Sequence, residues 1–199
     1  YGFHALEMVQ CLAERRAGGE TGVRQVRCLS GKRVWEAVAN GTIDKGLLQA
    51  AVVPLEGSPV KGGDRSLMEM AKEPTAMIVD YRDGFRASIL TLNGAVNEWS
   101  VAWHEDGKSK ATMFWTQEAR PFMHFTYLVK GTEQMFHTGK PSWPAERTLY
   151  TSAILDAALI SLKRGGKAVP TPYLNIPYQS DWNWQQPPPP PPGRPIHEK

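Results

Sequence analysis

Apolar residues at Ala5, Met8, Val9 and Leu12 recur at i, i+3, i+4 and i+7, and Gly18-Gly19 stops the pattern, so the spacing predicts a helix over Phe3 to Arg16. Val23 to Leu29 alternates loosely between Gly22 and Ser30-Gly31 and reads as a strand. Leu47 to Val53 reads as a short helix closed by Pro54. The stretch from Glu56 to Asp64, with Gly57, Pro59, Gly62 and Gly63, reads as a surface loop. Two apolar runs, Ala76 to Tyr81 and Phe85 to Leu92, flank Arg82-Asp83-Gly84 and predict a hairpin. Asn93-Gly94 then leads to a strand over Val96 to Trp103, and Asp106-Gly107 to one over Ala111 to Thr116. Four successive strands joined by tight turns predict an antiparallel meander.

Helical spacing returns at Phe125, Leu128, Val129, Thr132, Met135 and Phe136 and ends at Gly139-Lys140-Pro141. A last helix opens at Ser142-Trp143-Pro144 and runs to Gly165-Gly166. Its apolar residues fall on most faces, which predicts burial between other elements. Beyond Val169 the chain is extended and interrupted by prolines, and Pro187 to Pro192 predict a polyproline II run. The expected fold is α+β, an antiparallel meander with helices on one face. Residues 1–180 form the domain and 181–199 an unpacked, proline-rich tail.

Composition narrows the function classes. The chain has 199 residues, 41% hydrophobic and 22% charged, which suits one globular domain. Lys and Arg total 23 against 20 Asp and Glu, a net charge of +3 with both signs scattered, so nucleic acid is not an implied partner. No apolar run approaches the roughly 20 residues that a bilayer crossing needs. Cys11 and Cys28 fit neither a disulfide framework nor a zinc spacing and read as free thiols, which suits a reducing, cytoplasmic setting. The chain starts at Tyr1 without an initiating Met or a signal peptide, and reads as a fragment or a processed product.

The P-loop, GxGxxG, GxSxG, HExxH and paired CxxC patterns are absent. Weaker constellations remain. His4 falls in the first turn of the first helix, where the positive end of the dipole favours a neutral, proton-accepting imidazole. It reads either as a general base or as a residue that packs at the helix start. His4, Glu7 and Cys11 share one stripe, which suggests metal ligands, but no further ligand is placed and no metal site is assigned. His124, beside Phe125 and Tyr127, reads as a pocket wall or as structural. Among seven tryptophans, Trp99, Trp103 and Trp115 fall on predicted strands, placed for sugar stacking, self-association or core packing.

Two segments resemble one family. Gly2-Phe3-His4-Ala5-Leu6-Glu7-Met8 is similar to the G-x-H-x-x-(D/E)-hydrophobic signature that opens the substrate-domain helix of the glucose-fructose oxidoreductase and inositol dehydrogenase family, Gfo/Idh/MocA. Thr138-Gly139-Lys140-Pro141, Glu146-Arg147-Thr148-Leu149, Ile154-Leu155-Asp156-Ala157 and Gly165-Gly166-Lys167-Ala168-Val169 resemble its closing helix and the turn after it. The resemblance implies an NAD(P)-dependent oxidoreductase of sugars or polyols, of which this chain is the substrate-binding and oligomerisation domain. On it, His4 takes the hydroxyl proton, and Tyr1, Glu7 and His124 are candidate substrate contacts. The NAD or NADP site and the E-K-P lysine would lie in a Rossmann half upstream of Tyr1, as would the usual acidic partner of the histidine. Tyr1 itself departs from the commonest pattern. The open face of the meander, with Trp99, Val101 and Trp103, is too apolar to be left as a large exposed patch, which predicts a homodimer or homotetramer through the sheet. A non-catalytic carbohydrate-binding or self-association module of the same fold is the alternative.

Overall fold

The computed structural model describes residues 2–55, 64–114, 116 and 123–180. The expectations for Tyr1, for the loop over 56–63, for Trp115 and for the tail beyond Ser180 lie outside those residues. The chain divides into two compact units, one built from 1–114 and 146–179 and the other from 115–145 and 180–199.

The first unit is organised by one strand. Thr75–Tyr81 (β2) carries an almost uninterrupted apolar run, and from Ala76 onward every residue is buried, as expected of a strand covered on both faces. It pairs antiparallel with Arg86–Thr91 (β3) on one side and with Val23–Ser30 (β1) on the other. Two residues, Val169–Pro170 (β6), complete the order β3-β2-β1-β6 at the edge, where a proline is tolerated. Alternation along the strands sorts the core. Val26, Cys28, Met77, Val79 and Ile89 face Gly2–Ala13 (α1) and Ala145–Lys163 (α6), whose Leu6, Ala13, Tyr150, Ile154 and Ala157 join them. Ala76 and Ile78 point the other way, onto Val34 and Ala37 of Lys32–Ala39 (α2).

The remaining strands, Trp99–Glu105 (β4) and Lys108–Phe114 (β5), pair only with each other among the described residues. Asp106 and Gly107 both take positive φ, 51° and 72°, the conformation a two-residue type I′ turn requires. This hairpin packs on Lys45–Val52 (α3). A third cluster joins Val52, Leu55 and Leu92 to Leu67 of Asp64–Met70 (α4).

The α+β class therefore holds, with two corrections to its detail. The large sheet is not a four-strand meander, because β1 and β6 occupy the places expected of β4 and β5. Helices also cover both of its faces, since α2 packs opposite α1 and α6. The last helix buries one stripe and leaves Leu149, Leu159 and Leu162 exposed, so it is not enclosed all round. In the second unit, Met123–Thr138 (α5) ends where the spacing predicted, at Gly139. No helix among the described residues is long and apolar enough to cross a membrane.

Candidate functional site

The segment that carries the resemblance forms the start of α1. A Cβ on Gly2 would stand 3.3 Å from Leu155 Cδ1, so glycine lets the helix start lie close to α6. His4 is exposed in the first turn, with its ring edge-on to Phe3 at 6.2 Å between centroids. It makes no hydrogen bond to any described residue.

The next turns of α1 carry Glu7, Gln10 and Cys11 beside the apolar stripe of Leu6 and Ala13, Glu14 follows directly after its end, and they meet α6 at Arg147. Arg147 Nε donates to Glu7 Oε2 at 3.0 Å, Nη1 to Glu14 Oε1 at 3.1 Å, and Nη2 to the Glu7 carbonyl at 3.0 Å and to Cys11 Sγ at 2.7 Å. Thr151 Oγ1 donates to the other Glu7 oxygen at 2.6 Å. Burial works against the charge on Arg147, but Cys11, Glu14 and Glu7 outweigh it and raise its pKa. The guanidinium stays charged.

A second half of the network closes over Glu20. Gln10 Nε2 donates to Glu20 Oε2 and to Tyr178 Oη, both at 2.8 Å, and Tyr178 Oη donates to Glu14 Oε2 at 2.9 Å. The backbone amides of Thr21 and Gly22 each reach Glu20 Oε1 at 2.9 Å. Arg16 pairs with Glu20 and with Asp83 while its guanidinium lies 4.7 Å over the Tyr81 ring. Gln10, Glu14 and Glu20 are only 1–2% exposed. Carboxylates so deeply buried persist only when paired and hydrogen-bonded, and these are.

The predicted residues are thus separated by role. Glu7 is committed to Arg147 and Thr151. A cation 2.7 Å from Cys11 also opposes a metal on the His4, Glu7 and Cys11 stripe, and no group of metal-ligating side chains occurs among the described residues. His124 opens α5 in the other unit, its ring 4.2 Å from that of Phe125. An apolar cleft of ≈ 150 Å³ lies elsewhere, between α2, α3 and α4, with Trp35, Leu48, Leu67 and Lys45 on its walls. That is below the usual range of small-molecule pockets, about 300–1,000 Å³. Sequence reasoning missed the network, although Glu7, Gln10 and Glu14 form a polar i, i+3, i+7 stripe that signals it.

No family model, curated protein or solved structure matches this chain. What it does must be argued from its own residues.

Proposed function

We propose that the chain is the substrate-binding and oligomerisation domain of an NAD(P)-dependent oxidoreductase of sugars or polyols, with His4 as the base that takes the hydroxyl proton. The observation that carries this reading is the position of Gly2 to Met8: the motif opens a helix, Gly2 fits closely against α6, and His4 is left solvent-accessible in the first turn. The Arg147 network fixes α1 against α6 and so the direction in which the first turn projects.

The described turn from a strand into a helix does not fit a dinucleotide. The turn from β1 into α2, Ser30-Gly31-Lys32, has one glycine, and the Gly31 amide donates to the Pro74 carbonyl at 2.8 Å instead of facing a pyrophosphate. On this reading NAD or NADP is held by residues outside this chain. The share of His4 is to accept one proton, and self-association uses the hairpin with Trp99 and Trp103.

A non-catalytic carbohydrate-binding or self-association module is the second reading.

Turnover and melting temperature of His4→Gln in the complete protein separate the two. A positioned base contributes about 10² to 10⁴ in rate, so the oxidoreductase reading expects that loss with unchanged melting. Full specific activity in His4→Gln, or no nicotinamide-linked oxidation across a panel of sugars and polyols, would overturn it.

A further inference from the structure

The β4–β5 hairpin carries a line of side chains that the oxidoreductase reading leaves unused. His104 and Ser109 sit directly opposite each other in the hairpin register, and Ser109 Oγ lies 3.2 Å from His104 Nδ1. On the far side of the ring, His104 Nε2 lies 3.2 Å from Asp44 Oδ2. Asp44 is the N-cap of α3, and its Oδ1 accepts from the Leu47 amide at 2.8 Å. One carboxylate oxygen is therefore held by the helix, and the other is left for the imidazole.

Those contacts set the tautomer. The Leu47 amide and His104 hold the Asp44 carboxyl below the usual carboxylate range, so it is ionised. An ionised carboxylate only accepts hydrogen bonds, so in the neutral imidazole Nε2 carries the proton and Nδ1 offers its lone pair to the Ser109 hydroxyl. A hydroxyl within reach of a base that a third group orients is the arrangement that activates a serine. Both 3.2 Å separations lie at the outer end of that reach.

We propose that Asp44, His104 and Ser109 form a nucleophilic relay, and that Ser109 accepts an acyl group from a small activated ester. Ser109 Oγ attacks the carbonyl carbon and forms the new C–O bond while its proton passes to His104 Nδ1. The bond from that carbon to the leaving oxygen breaks, and the imidazolium returns the proton to the leaving oxygen. The products are an O-acyl serine and the free alcohol or phenol. The side chains of His104 and Asp44 are 54% and 50% exposed, so water competes for both hydrogen bonds. That restricts the donor to esters with a good leaving group. Lys45, Lys108 and Lys110 are rival nucleophiles on the same elements, and their products are amides.

The inference does not depend on the oxidoreductase reading. The test incubates the full chain with p-nitrophenyl acetate and maps acetyl groups by mass spectrometry before and after neutral hydroxylamine, which removes esters and spares amides. A hydroxylamine-labile acetyl on Ser109 is expected, formed about 10²-fold more slowly in His104→Gln and lost in Ser109→Ala. Asp44→Asn should also slow it. If Asp44→Asn loses its fold with its helix cap, the other two variants, whose changes are exposed, decide alone. Adducts confined to lysines, esters spread equally over exposed Ser30 and Ser152, or an unchanged rate in His104→Gln would each overturn the relay.

Discussion

Arg147 touches both halves of what holds α1 to α6, and its neighbours determine what its removal does. Glu14 sits 3.1 Å from Nη1 and is 2% exposed, so losing the guanidinium leaves a buried carboxylate with only the Tyr178 hydroxyl as partner. Breaking a buried pair from one side costs about 3–5 kcal/mol. Arg147→Met should lose stability in that range by urea denaturation. Adding Glu14→Gln should recover part of it, because the stranded charge is then gone. Arg147→Lys should rescue little, since one ammonium cannot reach Glu7, Cys11 and Glu14 from the directions a planar fork provides. A loss under about 1 kcal/mol in Arg147→Met would mean that water or another cation replaces it.

At the scale of elements, the joints between segments carry the backbone requirements. Gly22 has φ 110°, and a Cβ there would stand 2.7 Å from the Leu174 carbonyl and 2.9 Å from Arg82 Cδ. Gly107, at φ 72° in the β4–β5 turn, would meet nothing within 4 Å. Both substitutions to alanine strain the backbone by about 1–2 kcal/mol, but only Gly22→Ala also forces β1 away from the 3₁₀ turn Pro172–Leu174. Thermal melts should therefore show the larger loss for Gly22→Ala; equal losses would show that the clash relaxes freely. The same distinction between local and distant requirements explains what the sequence made legible. Helices α1, α5 and α6 and the β2–β3 hairpin were readable because their period, stops and turn residues lie within each segment. The pairing of β1 with β2 was not, since nothing in either run specifies a partner some fifty residues away. Helices α2 and α4, eight and seven residues long, are too short to form on propensity and exist through packing. The place of His4 could be read from its motif, whereas the commitment of Glu7 to Arg147 arises only when α1 meets α6.

Across the whole molecule, titration sets a window of stability. Tyr150 Oη donates to the carbonyls of Leu174 and Ile176, and burial pushes its pKa from 10.0 up to about 12. Burial also raises Tyr81 and Tyr178. A raised acid holds its proton in the folded state after the unfolded chain has released it. This contribution is complete below about pH 10 and is lost as pH rises through the folded values. At the acid end the sign reverses. Burial works to raise Asp80, but the Gln25 amide, Arg86 and Arg24 outweigh it and hold it below 3.8. Its contribution is present above that value and is lost as pH falls through the lower folded one. The urea midpoint should therefore fall below about pH 4 and again above about pH 10, and Tyr150→Phe should make the alkaline limb shallower. A wild-type midpoint that stays level from pH 8 to 12 would contradict the tyrosine assignment.

The hydrogen bond between Gln10 and Tyr178 joins residues 168 positions apart, and that span has a meaning in time. A ribosome adds roughly 5–20 residues per second, so the first helix waits about 8–34 s after it is made before its last partner exists. Throughout that interval Gln10, Glu14 and Glu20 lack Tyr178, and Tyr150, once made, still lacks the carbonyls of Leu174 and Ile176. The polar centre of the unit cannot seal until the segment through Tyr178 has cleared the exit tunnel. A nascent chain that stops at Val169 would thus present α1 with its carboxylates still open to water, and this unit closes only once its own last segment is made, not helix by helix as the chain emerges.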